Sequence, residues 1–308
     1  MRIVFMGTPA AAAVSLQRVI DDRHDIATIY TQPDRPSGRG NRITFSPVKQ
    51  LAFDLGIPVL QPAKIRTDEA IAEFRSFNAD IAVVVAYGRI LPEPFLNAFP
   101  LGAVNVHFSL LPKYRGAAPV NWAIVNGERV TGVTTMKMDA GLDTGDILLQ
   151  EETQIAEDET SIELMARLAE LGADLLSKTL SSFSSLEPRP QDHSAATLAP
   201  IMNKEDGRFD WTFPAERIAR MARGFQPFPT AYTSLEGKKL TLWNASSREE
   251  ESLVEAGTVI EAFGNQLIVA CRSGSALEIS EVQIEGKKRM PVRDFLNGKK
   301  LGVGDRLD

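Results

Sequence analysis

Along the first 185 or so residues, short apolar runs alternate with stretches whose apolar positions recur every three or four residues. The runs Arg2–Met6, Ile26–Thr31, Ile57–Leu60, Ile81–Ala86, Ala103–His107, Gly132–Met138 and Asp146–Glu151 are predicted as strands. Several are apolar almost without a break, the pattern of parallel strands covered on both faces. Helix signals lie between them. Ser46-Pro47 combines a capping side chain with a first-turn proline, and Gly56 closes that helix. Thr67-Asp68-Glu69 opens another, its acidic residues at the positive end of the helix dipole. Thr160-Ser161-Ile162-Glu163 is a capping box ahead of a long helix running to about Phe183. Alternation of this kind predicts an α/β fold with a doubly wound, mostly parallel sheet of the Rossmann-like type.

The pattern changes after Phe183. Residues 184–199 are rich in Ser, Pro, Ala and Thr, and Pro188 and Pro190 interrupt regular structure, so 186–206 is expected to be a linker. Pro214–Gly224 reads as a helix with proline in its first turn. From Thr230 onward, short alternating strands are separated by turn signals at Glu236-Gly237, Gly264-Asn265 and Ser273-Gly274. That spacing predicts a small OB-like β-barrel of about a hundred residues, closed by a short helix at Val292–Asn297. The expected division is a catalytic domain over 1–185, the linker, and a barrel domain over 207–308.

Composition narrows the class. The chain has 308 residues, 44% hydrophobic and 24% charged, as in a soluble globular protein of two ordinary domains. No apolar run approaches the roughly 20 residues of a membrane span. The opening Met1–Gly7 is too short for a leader and runs into a turn, so it reads as a strand. A cytoplasmic protein with no membrane partner is expected, and a monomer. The single cysteine, Cys271, excludes an internal disulfide and any cysteine-based metal cluster, and its apolar neighbours mark it as a core residue. The net charge of −6 argues against a general nucleic-acid binder, although it averages over local basic clusters.

Candidate chemistry gathers at one strand. In Ala103–His107 the two-residue period puts Asn105 and His107 on the same face, at the carboxyl end where open α/β sheets bind ligands. Polar side chains there are costly unless used or satisfied. Standing alone, they would equally suit a hydrogen-bonded histidine with a capping asparagine. They are followed by Ser109-Leu110-Leu111-Pro112 and a loop over Lys113–Pro119. A second loop, Met138–Asp146, carries Asp143 to a position facing His107 across neighbouring strand ends. A Ser-His-Asp hydrolase built from Ser109, His107 and Asp143 lacks the nucleophile elbow G-x-S-x-G. His24 and His193 fall in a polar turn and the linker, and no H-E-x-x-H occurs. G-x-G-x-x-G is absent after the first strand, so no NAD is inferred.

Taken together, Asn105-x-His107, Ser109–Pro112, Gly116 and Asp143 resemble the motif of the folate-dependent formyltransferases. The resemblance continues through Gly7-Thr8-Pro9, Thr31–Pro36, Val85–Pro92, Asp139–Asp146 and Phe225–Pro229, and points to the tRNA-directed members. It implies 10-formyltetrahydrofolate as formyl donor, methionyl initiator tRNA as acceptor, a place in translation initiation, and no metal. Asn105, His107 and Asp143 would be catalytic. The folate would lie along Ser109, Leu110, Leu111, Pro112, the Ile90-Leu91 backbone and the loop beginning at Asp139. The long segment Gln32–Phe45 would enter the acceptor end of the tRNA, with Arg39 at the matching position and Arg35 and Arg42 beside it. Lys238, Lys239, Lys287 and Lys288 would hold the tRNA backbone. By composition alone these clusters suit solvated faces as well as phosphate contacts. Formyl transfer to another amine (a sugar nucleotide or a purine precursor) and a non-catalytic RNA- or folate-binding role remain open.

The chemistry fits the residue types. When an amine attacks a formyl carbon, negative charge develops on the formyl oxygen and the amine sheds a proton. An Asn amide and a His N–H are oriented donors for that oxygen. Asp143 is expected to orient His107 and help carry the proton away. Three positions depart from the family pattern: Phe108, where a small residue is usual, and Asn41 and Phe45 in the long segment.

Overall fold

The computed structural model describes residues 1–37, 42–250, 254–299 and 301–307. Contacts divide the chain into two compact units. The first comprises Met1–Pro119, Val130–Gln154 and Met165–Pro200; the second comprises Val120–Arg129, Ile155–Leu164 and Ile201–Asp308.

The first half of the chain runs β1 (Arg2–Gly7), α1 (Ala10–Asp21), β2 (Asp25–Tyr30), β3 (Arg35–Ser37), β4 (Arg42–Thr44), α2 (Pro47–Asp54), β5 (Val59–Leu60), α3 (Asp68–Ser76), β6 (Ile81–Val85), α4 (Glu93–Leu96), β7 (Ala103–His107), β8 (Arg115–Gly116), α5 (Pro119–Val125), β9 (Val130–Lys137), β10 (Ile147–Gln154), α6 (Ser161–Ser182) and β11 (Leu198–Ala199). Seven strands form one sheet in the order β10-β9-β7-β6-β1-β2-β5. The β1, β2, β5, β6 and β7 pairings are parallel, as expected, whereas β9 runs antiparallel to both β7 and β10. Sheet growth reverses direction between β1 and β6, so a crevice opens at their carboxyl ends. β6 and β7 are buried along their whole lengths, which accounts for their unbroken apolar character.

Gly172 brings α6 close to the sheet. A Cβ there would stand 3.0 Å from Val106 Cγ1 and 3.3 Å from the Phe108 ring. Phe108 therefore packs with Val106 under the helix, on the opposite face from Asn105 and His107. Its bulk is matched by the absent side chain at 172, which leaves the polar face of β7 untouched.

Two expectations about connections are corrected. The segment Gln32–Phe45 is not structureless: β3 and β4 pair antiparallel, with Arg35 opposite Thr44 and Ser37 opposite Arg42. Its base is held by a Lys49–Asp34 ion pair and by Gln61, whose Nε2 donates to Asp34 Oδ1 at 2.9 Å and to the Gln32 carbonyl at 2.8 Å. Arg39 and Asn41 lie outside the described residues. Residues 186–200, expected as linker, belong to the first unit. Arg189 bridges Ile147, and β11 pairs in parallel with β8. Proline-rich sequence cannot propagate a helix or a long strand, but its remaining polar groups are paired by loops distant in sequence, which local composition does not reveal.

The second unit contains α7 (Ala215–Gly224), β12 (Ala231–Leu235), β13 (Lys238–Glu249), β14 (Val259–Phe263), β15 (Gln266–Cys271), β16 (Ser275–Ile284), β17 (Met290–Pro291) and α8 (Val292–Gly298). The strands follow the path β12-β13-β16-β15-β14, with β17 on β16, and all are antiparallel. Irregularities between Leu242 and Ala245 bend the twelve-residue β13, as bulges do. One apolar core, including Trp211, Ile218, Phe225, Leu240, Val269, Leu277 and Phe295, lies under this sheet. Among the described residues no ladder joins β12 to β14, so the expected small barrel is of the partly open kind. The unit also takes in earlier segments. Asn121 Nδ2 donates to the Gly224 carbonyl at 2.7 Å, Ser161 Oγ to that of Gln226 at 2.6 Å, and Trp122 meets Phe225 edge-on. No described helix is long and apolar enough to cross a membrane.

Candidate active site

β7 delivers its two polar residues to the carboxyl end of the sheet, with Asn105 opposite Met136 and His107 opposite Thr134 on β9. Both are nearly enclosed, at 8% and 6% exposure. His107 Nε2 lies 2.9 Å from the Tyr114 carbonyl oxygen. A carbonyl can only accept, so Nε2 carries a proton and Nδ1 is the nitrogen left for chemistry. Asp143 Oδ2 stands 3.7 Å from Nδ1, beyond direct hydrogen-bond range, and accepts the Gly116 N–H at 2.8 Å. The Tyr114 carbonyl orients the imidazole, and the Gly116 amide fixes Asp143 as a charge beside it.

Backbone geometry makes this arrangement possible. Tyr114 and Asp143 adopt left-handed φ values of 60° and 53°, and Gly116 has φ of 122°. A Cβ on Gly116 would fall 2.5 Å from the Ala199 carbonyl oxygen, so only glycine fits against β11. Non-glycine residues at positive φ gather at functional sites because surrounding contacts must over-determine them. Asn105 differs from its neighbours: among the described residues its side-chain amide has no hydrogen-bond partner. A nearly enclosed amide with no protein partner is placed to donate to a ligand oxygen.

The side chains of the Ser109–Leu111 stretch turn inward. Ser109 Oγ, fully buried, donates to the Lys113 carbonyl at 2.6 Å, which removes it as a nucleophile. Thr134 Oγ donates to the Ser109 carbonyl and accepts the Leu111 N–H, and Gln150 Nε2 donates to the Leu111 carbonyl at 2.8 Å. Leu111 packs with Met136 and Ile147, and Leu110 lies against Gly132. The Leu111–Pro112 bond is cis, and Pro112 is half-buried. Asp139 braces the second loop, accepting from Gly141 N at 3.0 Å and Thr144 Oγ1 at 2.6 Å. Leu91 is buried in the core, while Ile90 is 63% exposed beside a cavity of about 490 Å³ that Lys64, Arg66 and Arg89 also line. Tyr114, Arg115, Thr134, Gln150, Gln191 and Thr197 complete the framework. None was singled out from the sequence; Thr134 on β9, next to β7, and Gln150 on β10, one strand further out, are polar residues within strands and carried the one signal available.

The basic residues fall into two groups. Arg35 and Arg42 lie on β3 and β4, next to the undescribed Arg39. Lys238 and Lys239 begin β13, while Lys287 and Lys288 follow β16. The pairing of Leu240 with Ile284, continued by Glu285 N to the Lys239 carbonyl at 2.9 Å, gathers these four exposed lysines at one end of the second unit's sheet. Lys239 Nζ sits 4.0 Å above the Tyr232 ring, and Arg289 lies 4.8 Å above Trp243. Partial burial, then the charge of Lys204, holds Lys239 below the usual lysine pKa.

Comparison with known proteins identifies the family. Residues 1–180 match the formyl transferase family, and residues 201–300 match the formyl transferase C-terminal domain. The chain belongs to the formyl transferase family. The resemblance read from the Asn105–Asp143 motif is thereby borne out. Among its relatives, the methionyl-tRNA formyltransferase of Solibacter usitatus is 48% identical, covering 100% of this chain and 98% of its own. That of Koribacter versatilis is 49% identical with the same coverage. This formyl transferase also shares its fold with more distant solved structures. An N-formyltransferase from Helicobacter canadensis, in complex with folinic acid and dTDP-3-aminofucose, gives a TM-score of 0.69 at 19% identity, over 90% of this chain and 98% of that one. HypX from Aquifex aeolicus, in complex with tetrahydrofolic acid, gives 0.66 at 19% identity, over 98% of this chain and 48% of HypX.

Proposed function

We propose that this formyl transferase moves the formyl group of 10-formyltetrahydrofolate to the methionyl amino group of charged initiator tRNA, for translation initiation in the cytoplasm. The observation that carries the reading is full-length identity, through both domains, to proteins named methionyl-tRNA formyltransferase. The unpartnered Asn105 amide beside a histidine with one free nitrogen supports the chemistry.

In this mechanism the amine attacks the formyl carbon, and Asn105 donates to the oxygen on which charge develops. His107 accepts the amine's proton at Nδ1, and the Asp143 carboxylate at 3.7 Å offsets the resulting positive charge. The protonated ring is then a second donor to the same oxygen. The carbon–nitrogen bond to the folate breaks, that nitrogen regains a proton, and the new amide remains on methionine. The folate would lie past exposed Ile90 and along the braced Ser109–Pro112 and Asp139–Asp143 loops, reading their shape more than their side chains. The tRNA would be held by the β3–β4 hairpin with Arg39 and by Lys238, Lys239, Lys287 and Lys288, beside the aromatic surface of Tyr232 and Trp243.

The test is a formyl-transfer assay offering methionyl initiator tRNA, uncharged tRNA and an amino-sugar nucleotide in turn. Formylation confined to the charged tRNA is expected; transfer to the sugar amine instead would overturn the acceptor.

A further inference from the structure

We infer that Gln191, in the segment following α6, is a positioning residue that holds the Asp143 loop in register with His107. Gln191 is 6% exposed, and both ends of its amide are in use. Nε2 donates to the carbonyls of Asp143 at 2.9 Å and Gly145 at 2.7 Å. Oε1 accepts from Arg115 Nε at 3.1 Å and Nη2 at 2.7 Å. Arg115, itself 7% exposed, has no acceptor to offer, so the amide oxygen must face it and the NH2 must face the loop. The orientation is set by chemistry alone.

The position of Arg115 gives this clamp its consequence. Tyr114, one residue before it, holds His107 through its carbonyl; Gly116, one residue after it, holds Asp143 through its N–H. Gln191 therefore ties the backbone of the loop carrying Asp143 to the three-residue segment that grips both catalytic side chains. The same strap continues through Thr197, whose Oγ1 accepts from Tyr114 N at 2.8 Å and whose carbonyl accepts from Arg115 N at 2.8 Å. Reacting groups misplaced by about 1 Å can lose on the order of a hundredfold in rate. The 3.7 Å separation of Asp143 from His107 is the distance the clamp sets.

Gln191→Glu separates this role from simple packing. Glutamate has nearly the same shape and keeps the contact with Arg115 as an ion pair, but it turns an oxygen toward the two loop carbonyls that the NH2 had served. Full-length Gln191→Glu is expected to fold with a thermal midpoint close to that of the wild type. Amide hydrogen exchange over residues 139–146 should be accelerated about tenfold or more, with little change elsewhere. The rate part of the test rests on the proposed formyl transfer: kcat should fall roughly tenfold to a hundredfold while KM for the folate stays within about twofold. Wild-type exchange in the 139–146 loop, or activity lost only in proportion to unfolded protein, overturns the inference. Should Gln191→Glu fail to fold, Gln191→Met, which removes all four hydrogen bonds at similar length, is judged by the same readouts. Exchange requires no substrate. A wild-type enzyme that formylates nothing would therefore sink the proposed function, while the exchange result would still decide the role of Gln191.

Discussion

Asn105 and His107 share a strand face but differ in what holds them, and the difference is measurable. Asn105 has no partner among the described residues, so Asn105→Ala should leave the thermal midpoint almost unchanged while kcat falls about 10²–10³-fold. His107→Ala should cost at least as much rate, together with about 1 kcal/mol for the lost bond to Tyr114. A folded, active variant at either position removes the mechanism. Asp34 behaves differently again. Hydrogen bonds from Lys49 and then Gln61 hold its carboxyl below the ordinary value of 3.8. Its contribution to stability is therefore complete above that value and is lost as pH falls through the lowered one. Asp34→Asn should depress the thermal midpoint between about pH 5 and 8, and the deficit should close in stronger acid. A deficit that stayed constant below pH 3.8 would show that the ion pair with Lys49 does not anchor the β3–β4 hairpin.

The elements around the site were legible to different degrees. β1, β6 and β7 were readable because burial on both faces writes an unbroken apolar run into the chain. The direction of β9 and β10 was not, since an alternating pattern looks the same read parallel or antiparallel. The pairing of Phe108 with Gly172 was also hidden, because each residue is explained only by the other across α6 and β7. From that packing, Phe108→Ala should destabilise the first unit by about 3–5 kcal/mol, as buried aromatic truncations do. Because the ring lies under the helix, kcat and the folate KM of the folded fraction should not move. A changed folate KM would place Phe108 on the substrate side after all.

Across the whole molecule, a net charge of −6 coexists with four lysines gathered at one end of the second unit's sheet. If these meet phosphates, KM for charged tRNA should rise steeply with salt while that for folate stays flat, because counterions released on binding oppose it. Replacing Lys238 and Lys239 together by alanine should raise KM for tRNA and flatten the salt slope by about two contacts' worth. Arg39→Ala should likewise weaken tRNA use without touching the folate. A salt-indifferent tRNA KM would exclude both assignments.

Local spacing and composition were enough to specify the alternating α/β domain, the antiparallel second domain, and the polar trio Asn105, His107 and Asp143. Each of these is encoded in residues close together in the chain or in a motif whose members keep fixed intervals. Contacts between distant residues settled the rest. That the Tyr114 carbonyl holds the imidazole follows from the path of a loop seven residues on, while the strap of a proline-rich stretch across the Asp143 and Tyr114 loops through Gln191 and Thr197, and the convergence of two lysine pairs, follow from pairings spanning tens of residues. Periodicity reports which face of an element is buried; it does not report what that face or its loops will meet.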